Sequence, residues 1–229
     1  MHILVVAATP FEIAPTLIFL EQNFQQTGEF YFEKGRLRIQ LLITGVGAAR
    51  CCWFMGQLLA VARPDWAVNA GVAGALDRSL SLGTVVQIKS DFFGDLGVEE
   101  ADGRFTSVFE LGLCAPEEPP FINGLLYNPA AAEADFLPAA RALTVNRVHG
   151  HAASIELIRE KYPGAQVETM EGAAFFYACL LANIPFVAIR SISNYVEPRN
   201  REAWELGRAI EQLNLVLIQM LESIIPPVP

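Results

Sequence analysis

The sequence predicts an α/β protein with three layers, in which helices cover both faces of a mostly parallel, mixed β-sheet. Short apolar runs without alternation, such as Ile3–Ala8 and Phe186–Ser191, are typical of strands buried on both faces. Segments with helical character, such as Ala48–Ala62 and Ala153–Tyr162, lie between the strand-like runs. Alternating strands and helices predict an α/β/α sandwich. No linker or repeat divides the 229 residues, so we predict one domain over residues 1–229.

Composition and charge exclude several classes of protein. The chain carries 25 acidic and 16 basic residues, a net charge of −9, so we expect neither nucleic acid nor an anionic membrane as a partner. Its N-terminus has no basic region and no cleavage-like site, which predicts no signal peptide. Four scattered cysteines without metal-ligand spacing predict buried, reduced thiols. Together these features predict a cytoplasmic protein.

The first candidate residue follows the first strand directly. Thr9 and Pro10 predict the start of a helix over about Phe11–Gln22, with Thr9 as the N-cap. Glu12 then falls in the first helical turn, next to the carboxyl end of the strand. An acid in that position suits the helix dipole and, equally, a ligand site at the edge of the sheet.

Two glycine-rich segments follow further strands. A hairpin over Glu29–Glu33 and Arg36–Thr44 leads into the turn Thr44-Gly-Val-Gly47, and the strand Trp66–Asn69 leads into Ala70-Gly-Val-Ala-Gly-Ala75, which we predict to be a loop. Such segments let a backbone approach a ligand closely. Neither matches the GxGxxG pattern, so a dinucleotide-binding fold is disfavoured.

The middle of the chain offers no metal motif. After a strand at Val85–Lys89, the composition from Ser90 to about Ala140 changes to Gly, Pro and acids, which predicts excursions over one end of the sheet. A strand is predicted at Leu143–Val148. The acids of the excursions match no metal-binding loop, and His149 and His151 lack a third ligand. We therefore expect no metal and no cofactor.

The stretch Val167–Arg201 carries the strongest signal for a site. It predicts a helix of about 13 residues, a turn at Asn183–Pro185 and a buried strand. Glu171 is predicted in the first turn of the helix and Asn194 just past the strand, where ligands of parallel sheets usually bind. The final segment, about Arg201–Ile225, predicts an amphipathic helix.

Four motifs in order along the chain resemble those of the purine nucleoside phosphorylase / methylthioadenosine nucleosidase superfamily. Met170-Glu171-Gly-Ala-Ala is similar to the family's Met-Glu-Ala-type motif, and Arg190-Ser-Ile-Ser-Asn194 is similar to its Arg-x-Ile-Ser-Asp motif. Asn69-Ala-Gly-Val-Ala-Gly74 and Thr44-Gly-Val-Gly47 resemble its two glycine-rich turns. The resemblance implies a nucleoside phosphorylase-like fold and an enzyme that binds a small nucleoside.

The resemblance also implies roles for individual residues. In the hydrolases of this family a Glu after the first strand activates water, and Glu12 matches that position. Glu171 is expected to hold the ribose hydroxyls with Met170 packed on the sugar, and Asn194, oriented by Ser193, to contact the purine. The cleft would be lined by Val46, Ala73 and Gly74.

Two departures from the family patterns indicate which nucleophile and which purine base to expect. The turn has no Arg beside its glycines, and a carboxylate at the anomeric face would repel phosphate, so water is the expected nucleophile. Asn194 stands where adenine-specific nucleosidases have Asp. A carboxamide can donate to a 6-oxo group, and unpaired buried polar groups cost about 1–3 kcal/mol each, so we expect hypoxanthine or guanine as the base.

The motifs around Glu171 and Asn194, with Trp204, are most similar to the futalosine hydrolase family. That resemblance implies release of hypoxanthine from futalosine in an alternative menaquinone pathway, and a homodimer or higher homo-oligomer. Futalosine carries a carboxylate arm, for which Arg147, Arg199 and Arg201 are candidates. Three alternatives stay open: a phosphorylase for 6-oxopurine nucleosides, a methylthioadenosine/S-adenosylhomocysteine-type nucleosidase, and a nucleoside-binding protein without catalysis.

Overall fold

A mixed β-sheet with helices on both faces forms the centre of the fold. The computed structural model describes residues 1–129 and 137–224. The helices are α1 Ala14–Asn23, α2 Ala48–Val61, α3 Ala152–Lys161, α4 Gly172–Ala182 and α5 Leu206–Ile224, with a short 3₁₀ helix at Arg201–Ala203. The strands are β1 His2–Ala7, β2 Gln25–Gly28, β3 Tyr31–Lys34, β4 Leu37–Ile43, β5 Trp66–Ala75, β6 Val85–Asp91, β7 Gly97–Glu99, β8 Phe105–Ser107, β9 Leu126–Tyr127, β10 Ala139–Thr144, β11 Val167–Thr169 and β12 Phe186–Tyr195.

The main sheet has the strand order β11-β10-β6-β12-β5-β1-β4-β3-β2, with β9 added beside β6. The central strands β4, β1, β5 and β12 run parallel to one another, whereas β6 pairs antiparallel with β12. Strand β11 pairs with β10 on one side and with β5 on the other, so this half of the sheet curls until it closes on itself. The predicted mixed α/β architecture is confirmed.

Each face of the sheet is covered by its own pair of helices. Helices α2 and α4 share one hydrophobic cluster with the sheet, and α1 and α5 share a second cluster with it. Phe175 and Phe176 of α4 pack edge-on against Phe186 of β12, with ring centres 5.4 and 4.6 Å away. The left-handed conformation of Asn183 (φ 52°) ends α4 at the predicted turn. The three predicted layers are therefore present.

The first helix begins later than the sequence predicts. Its N-cap is Ile13, and Thr9 instead bonds within its own turn: its backbone N–H and hydroxyl donate to the Glu12 carboxylate, and its Oγ1 accepts from the Glu12 backbone N–H at 3.4 Å. This closes a separate turn over Thr9–Glu12 before the helix starts, with Pro15 in its first turn. Glu12 therefore belongs to a turn at the end of β1 and not to the helix.

The second glycine-rich segment is a strand and not a loop. Residues Ala70–Ala75 continue β5 and pair with β12, from Ala70 opposite Ile189 to Ala75 opposite Tyr195, with one register shift between Ile192 and Asn194. Small residues allow this stretch to pack closely on both faces. The backbone that we predicted to approach a ligand from a loop is therefore part of a central strand of the sheet.

Three other boundaries differ from the prediction. The strand expected at Leu143–Val148 is β10, which begins and ends four residues earlier: it pairs with β6 from Ala139 and with β11 from Ala142 to Thr144. The last helix begins at Leu206, not Arg201, and the predicted end Ile225 lies outside the described residues. In the Ser90–Ala140 segment, residues 130–136 also lie outside the description, and the remainder includes the small hairpin β7–β8.

Two of the four cysteines are buried, as predicted. Cys51 and Cys179 lie in the core, but Cys52 is exposed and Cys114 is partly exposed. The expectation of four buried thiols is therefore wrong for Cys52 and Cys114. Cys52 follows the buried Cys51 in α2 and is turned by about 100° from it around the helix axis, away from the core, and Cys114 lies outside the helices and strands.

A buried carboxylate lies under the start of α4. Asp91 Oδ1 accepts hydrogen bonds from the Thr144 hydroxyl (2.9 Å) and from the Phe92 backbone N–H (2.8 Å). Within the described residues, Oδ2 has no hydrogen-bond partner. Burial raises the pKa of Asp91 to about 7, against the lowering effect of the Thr144 hydroxyl and Arg190.

We expect this carboxyl group to make the protein less stable as the pH rises. The folded state retains the proton up to about pH 7, whereas the unfolded chain loses it near pH 4, so the free energy of unfolding falls between these values. Between pH 5 and pH 8 the loss should be on the order of 2 kcal/mol. Asp91→Asn should remove this part of the pH dependence, which urea unfolding at both pH values would measure.

The exposed Glu156 on α3 provides a control. Glu156→Gln should leave the pH dependence of the free energy of unfolding as it is in the wild type. Equal pH dependence in Asp91→Asn and the wild-type protein would contradict the role assigned to Asp91.

Candidate active site

Glu12 is held at the carboxyl end of β1 by donors from two segments. Its Oε2 accepts hydrogen bonds from the Thr9 backbone N–H and hydroxyl, both at 3.0 Å, and its Oε1 accepts one from the Val72 backbone N–H at 3.2 Å. Because Val72 lies in β5, the carboxylate spans from the turn after β1 to the neighbouring parallel strand. Three donors fix its orientation, and spare lone pairs remain on the oxygens.

A glycine permits this close approach. A Cβ atom at Gly71 would lie 3.0 Å from Glu12 Oε1 and 3.7 Å from Arg190 Nε. Any larger residue would push the carboxylate away from β5. The identity of residue 71 is therefore tied to the position of Glu12.

Glu171 is the N-cap residue of α4, and not a member of its first turn as predicted. Its side chain makes no capping hydrogen bond to its own helix. Instead Oε1 accepts a 2.7 Å hydrogen bond from the Gly47 backbone N–H, in the glycine-rich turn between β4 and α2. Gly47 has a φ of 101°, a conformation that glycine adopts without strain. The two segments predicted to form a site therefore meet through this bond.

The buried Arg190 and the neighbouring Glu12 both influence the pKa of Glu171. Burial raises the pKa of Glu171, the nearby charge of Glu12 raises it further, and the Gly47 N–H and Arg190 lower it. The Arg190 guanidinium is buried and donates to the carbonyl oxygens of Asn69 (3.2 Å) and Ile189 (2.9 Å) and to the side-chain oxygen of Asn69. Asn69 is thus the side-chain partner of Arg190, and the charge of Arg190 also acts on Glu171.

A second group of predicted residues gathers around Asn194. Asn194 lies within β12, not past its end, at an irregularity in the pairing with β5. Its Oδ1 accepts a 2.8 Å hydrogen bond from the Ser193 hydroxyl, and its Nδ2 donates to the Tyr195 carbonyl at 3.0 Å. Gly74 lies opposite, where a Cβ atom would be 3.2 Å from Asn194 Nδ2. Ala73 is buried beside Ser193, with its carbonyl 3.2 Å from the Ser193 hydroxyl.

A small cleft of about 60 Å³ adjoins Asn194. Besides Asn194 and Gly74, the cleft is lined by Glu168, which the sequence did not predict as a site residue. It is also lined by His149, Arg199 and Trp204, which the sequence analysis considered in other contexts. The guanidinium groups of Arg199 and Arg201 lie 5.5 and 5.9 Å from the centre of the Trp204 ring. Arg147 is exposed and does not line the cleft.

Strand β5 connects the glutamates to the cleft. Gly71 and Val72 meet Glu12, and Gly74 meets Asn194, so the two groups are separated by three residues, or about 10 Å along the strand. That separation is about the length of a purine nucleoside. Glu12 and Glu171 do not line the cleft itself. The predicted site residues therefore form two neighbouring groups, one around Glu12 and Glu171 and one around Asn194.

The remaining predicted residues lie beside the glutamates. Met170 precedes Glu171 and is partly buried, and its backbone N–H also lowers the pKa of Glu171. Val46, in the turn that bonds Glu171, is 51% exposed. Asn69 and Glu168 were missed. Asn69 is a polar residue inside an otherwise apolar run, which is a signal that could have identified it, whereas Glu168 lies between Val167 and Thr169 and has no such signal.

The described residues contain neither a group of side chains that could bind a metal ion nor a helix that could span a membrane. Across residues 1–129 and 137–224, no three His, Cys, Asp or Glu side chains come together in a way that could hold a metal ion. Over the same residues, every helix is too short or too polar to cross a lipid bilayer.

Comparison with known proteins identifies the family. The family model of the phosphorylase superfamily matches residues 2–226. Futalosine hydrolase of Streptomyces coelicolor is 36% identical over 181 residues, which cover 76% of this chain and 74% of that protein. The 5′-methylthioadenosine/S-adenosylhomocysteine nucleosidase of Maridesulfovibrio salexigens is 29% identical over 197 residues, 77% of this chain and 78% of that protein.

A solved structure shows the same fold. Native futalosine hydrolase of Helicobacter pylori strain 26695 superposes with a TM-score of 0.77 over 98% of both chains, at 14% sequence identity. The family model, the relatives and the fold agree with the resemblance drawn from the four motifs. The chain therefore belongs to the phosphorylase superfamily and, within it, to the family of the futalosine hydrolases.

Proposed function

We propose that this protein is a nucleosidase that hydrolyses the N-glycosidic bond of futalosine and releases hypoxanthine and dehypoxanthine futalosine, a step of the alternative menaquinone pathway. The observation that carries the proposal is the pairing, along β5, of a firmly held carboxylate at Glu12 with a carboxamide at Asn194. The 36% identity to the futalosine hydrolase of Streptomyces coelicolor supports the choice of substrate.

Glu12 is the proposed general base. Cleavage of the C1′–N9 bond leaves a ribosyl group with oxocarbenium character, which water attacks on the face opposite the base. A carboxylate within about 3 Å of that water can take its proton. Hydrogen bonds from Thr9 and Val72 hold Glu12 in one orientation, so little reorganisation is needed at the moment of attack.

Glu171 and Met170 are the proposed ribose-binding residues. Glu171 Oε1 is occupied by the Gly47 N–H, which leaves Oε2 to accept from the ribose hydroxyls. These bonds can strengthen as the sugar flattens and gains positive charge, and such a change raises turnover more than affinity. Burial raises the pKa of Glu171, and the Gly47 N–H and Arg190 oppose that shift, which favours the charged form that accepts from the ribose hydroxyls.

A phosphorylase for 6-oxopurine nucleosides is the second candidate, because one observation favours it. The sequence suggested that no Arg lies beside the glycines of the turn, but the Arg50 side chain folds over Gly45, and its Nε donates to the Thr44 carbonyl at 3.2 Å. A guanidinium there could contact phosphate. The carboxylates of Glu12 and Glu171 oppose a second anion in the same space, so we favour water.

The decisive experiment is incubation with futalosine, aminofutalosine, inosine and methylthioadenosine in buffer without phosphate. We expect hypoxanthine to be released from futalosine at the same rate with and without added phosphate, as followed by chromatography. Release that requires phosphate would support the phosphorylase. Release from methylthioadenosine alone would support the methylthioadenosine-type nucleosidase, and binding without release would support a nucleoside-binding protein.

Glu12→Gln tests the general base. The amide keeps the shape of the side chain but cannot accept a proton, so turnover of futalosine should fall by about 100-fold or more. The exposed Glu21 on α1 provides a matched control, and Glu21→Gln should leave turnover unchanged. Turnover of Glu12→Gln close to that of the wild type would refute the assignment.

The preference for a 6-oxopurine follows from the chemistry of Asn194. Its Oδ1 and one Nδ2 hydrogen are engaged by Ser193 and Tyr195, which leaves the second Nδ2 hydrogen as a donor towards the cleft. A donor pairs with O6 or N7 of hypoxanthine and opposes the 6-amino group of adenine.

We expect Asn194→Asp to shift the preference from futalosine towards aminofutalosine. The new carboxylate only accepts hydrogen bonds, so the 6-amino group gains a partner and the 6-oxo group loses one, a change of about 1–3 kcal/mol. The ratio of kcat/KM for the two substrates, measured on one preparation, reports the change independently of the fraction of active protein. An unchanged ratio would show that Asn194 does not select the base.

A further inference from the structure

His149 and Glu168 form a buried pair on the wall of the cleft. The Glu168 side chain, in β11, is 2% exposed, and that of His149, in the loop after β10, is 14% exposed. His149 Nδ1 lies 2.7 Å from Glu168 Oε2, and the His149 backbone N–H lies 3.0 Å from Oε1 and 3.2 Å from Oε2. One carboxylate therefore holds both the backbone and the ring of one histidine.

The pair fixes which ring nitrogen is available in the cleft. A carboxylate can only accept hydrogen bonds, so Nδ1 carries the hydrogen that it shares with Glu168. Within the described residues, Nε2 has no hydrogen-bond partner. Because His149 lines the cleft together with Asn194, Nε2 is the nitrogen that a molecule bound in the cleft would meet.

The reaction proposed above lacks a proton donor for its leaving group. When the glycosidic bond breaks, its electron pair stays on the purine, which departs as an anion unless it receives a proton. Asn194 can donate a hydrogen bond but cannot give up a proton at neutral pH. Imidazole titrates near neutral pH and is the side chain most often used to transfer protons in catalysis.

We propose that His149 is the general acid that protonates the departing purine, with Glu168 as the residue that positions it. This inference rests on the proposed nucleosidase function. The C1′–N9 bond breaks, its electron pair moves into the purine ring, and the Nε2 proton of the imidazolium passes to N7. Water forms the new bond to C1′ and gives its proton to Glu12. Exchange with solvent then returns His149 and Glu12 to their starting states.

Charged groups of both signs surround His149. Glu168 is in direct contact with it, and Arg199 lies nearby, where its backbone N–H donates to the Gly150 carbonyl and its side chain packs against Gly150. The other charged groups near this wall are Glu197, which pairs with Arg78, and Arg159 of α3, which bonds carbonyls of Leu76 and Val196. The directly bonded acid is the closest of them.

His149→Gln tests the proposal, with His151→Gln as the matched control. His151 is two residues away, exposed, and does not line the cleft. For futalosine hydrolysis between pH 5 and pH 9, we expect kcat of the wild type to fall at high pH as the imidazolium loses its proton. His149→Gln should lower kcat by about 100-fold, with KM changed by less than about threefold, and should abolish this alkaline fall. His151→Gln should behave as the wild type.

Glu168→Gln separates positioning from a purely structural role. Loss of the carboxylate removes the negative charge that favours the imidazolium, so the alkaline fall of kcat should move to lower pH. A merely structural role would lower the amount of active protein without moving the pH profile. This variant also decides the question if His149→Gln fails to fold, which circular dichroism would show.

The two proposals fail in different ways. Wild-type protein that does not release hypoxanthine from futalosine would overturn the proposed function. Active wild-type protein, with a His149→Gln variant that retains the alkaline fall, or that changes KM alone, would overturn the role of His149 and leave the function standing. A Glu168→Gln profile identical to that of the wild type would overturn the role of Glu168.

Discussion

The parallel pairing of β5 with β12 is the constraint on which the candidate site depends. The pairing runs from Phe186 opposite Ala67 to Tyr195 opposite Ala75, and both strands are almost wholly buried. Within it Arg190 stands opposite Gly71, and Asn194 stands opposite Gly74. A shift of one residue would turn every side chain of one strand to the other face, so the register also fixes which polar groups face the ligand.

Small residues on β5 leave room for the polar side chains of the candidate site. Glu12 can reach the Val72 N–H only because residue 71 has no Cβ, and Asn194 can lie against β5 only because residue 74 has none. The side chains of Glu12, in the turn after β1, and of Asn194, in β12, therefore pack directly against the backbone of β5. The cost of burying Arg190 is offset by hydrogen bonds to Asn69 and to the Ile189 carbonyl and by the proximity of Glu171 and Asp91, so that, among the described residues, the sheet carries this charge without a direct ion pair.

Local signals predicted most of the fold, and contacts between distant residues explain what they missed. The strand β1, the helix α2 and the turn at Asn183 were predicted correctly because apolar runs and a helix-ending residue determine them within a few positions. Residues Ala70–Ala75 look like a loop by composition, and only the partner strand β12 makes them a strand. Thr9 has the chemistry of an N-cap, and its Oγ1 does accept a backbone N–H, but that N–H belongs to Glu12 in a separate turn that precedes α1.

The same distinction applies to the site. Glu12, Glu171 and Asn194 carry recognisable motifs, and the sequence could name them together. The bond from Gly47 to Glu171 spans 124 residues, and the His149–Glu168 pair joins two segments that carry no motif at that point. Motifs identify groups that act on the substrate directly, whereas groups that hold them in place are spread along the chain and become visible only in the fold.

The distribution of charge along β5 suggests how a substrate with a carboxylate arm is oriented. Glu12 and Glu171 make one end of the strand negative, and the cleft at the other end contains Arg199, stacked on Trp204. Under the proposed function, the anionic arm of futalosine would be repelled from these carboxylates and attracted to the Arg199 guanidinium. The net charge of −9 therefore does not prevent an acidic substrate from binding, because the field that the ligand meets is set by the few charges at this edge of the sheet.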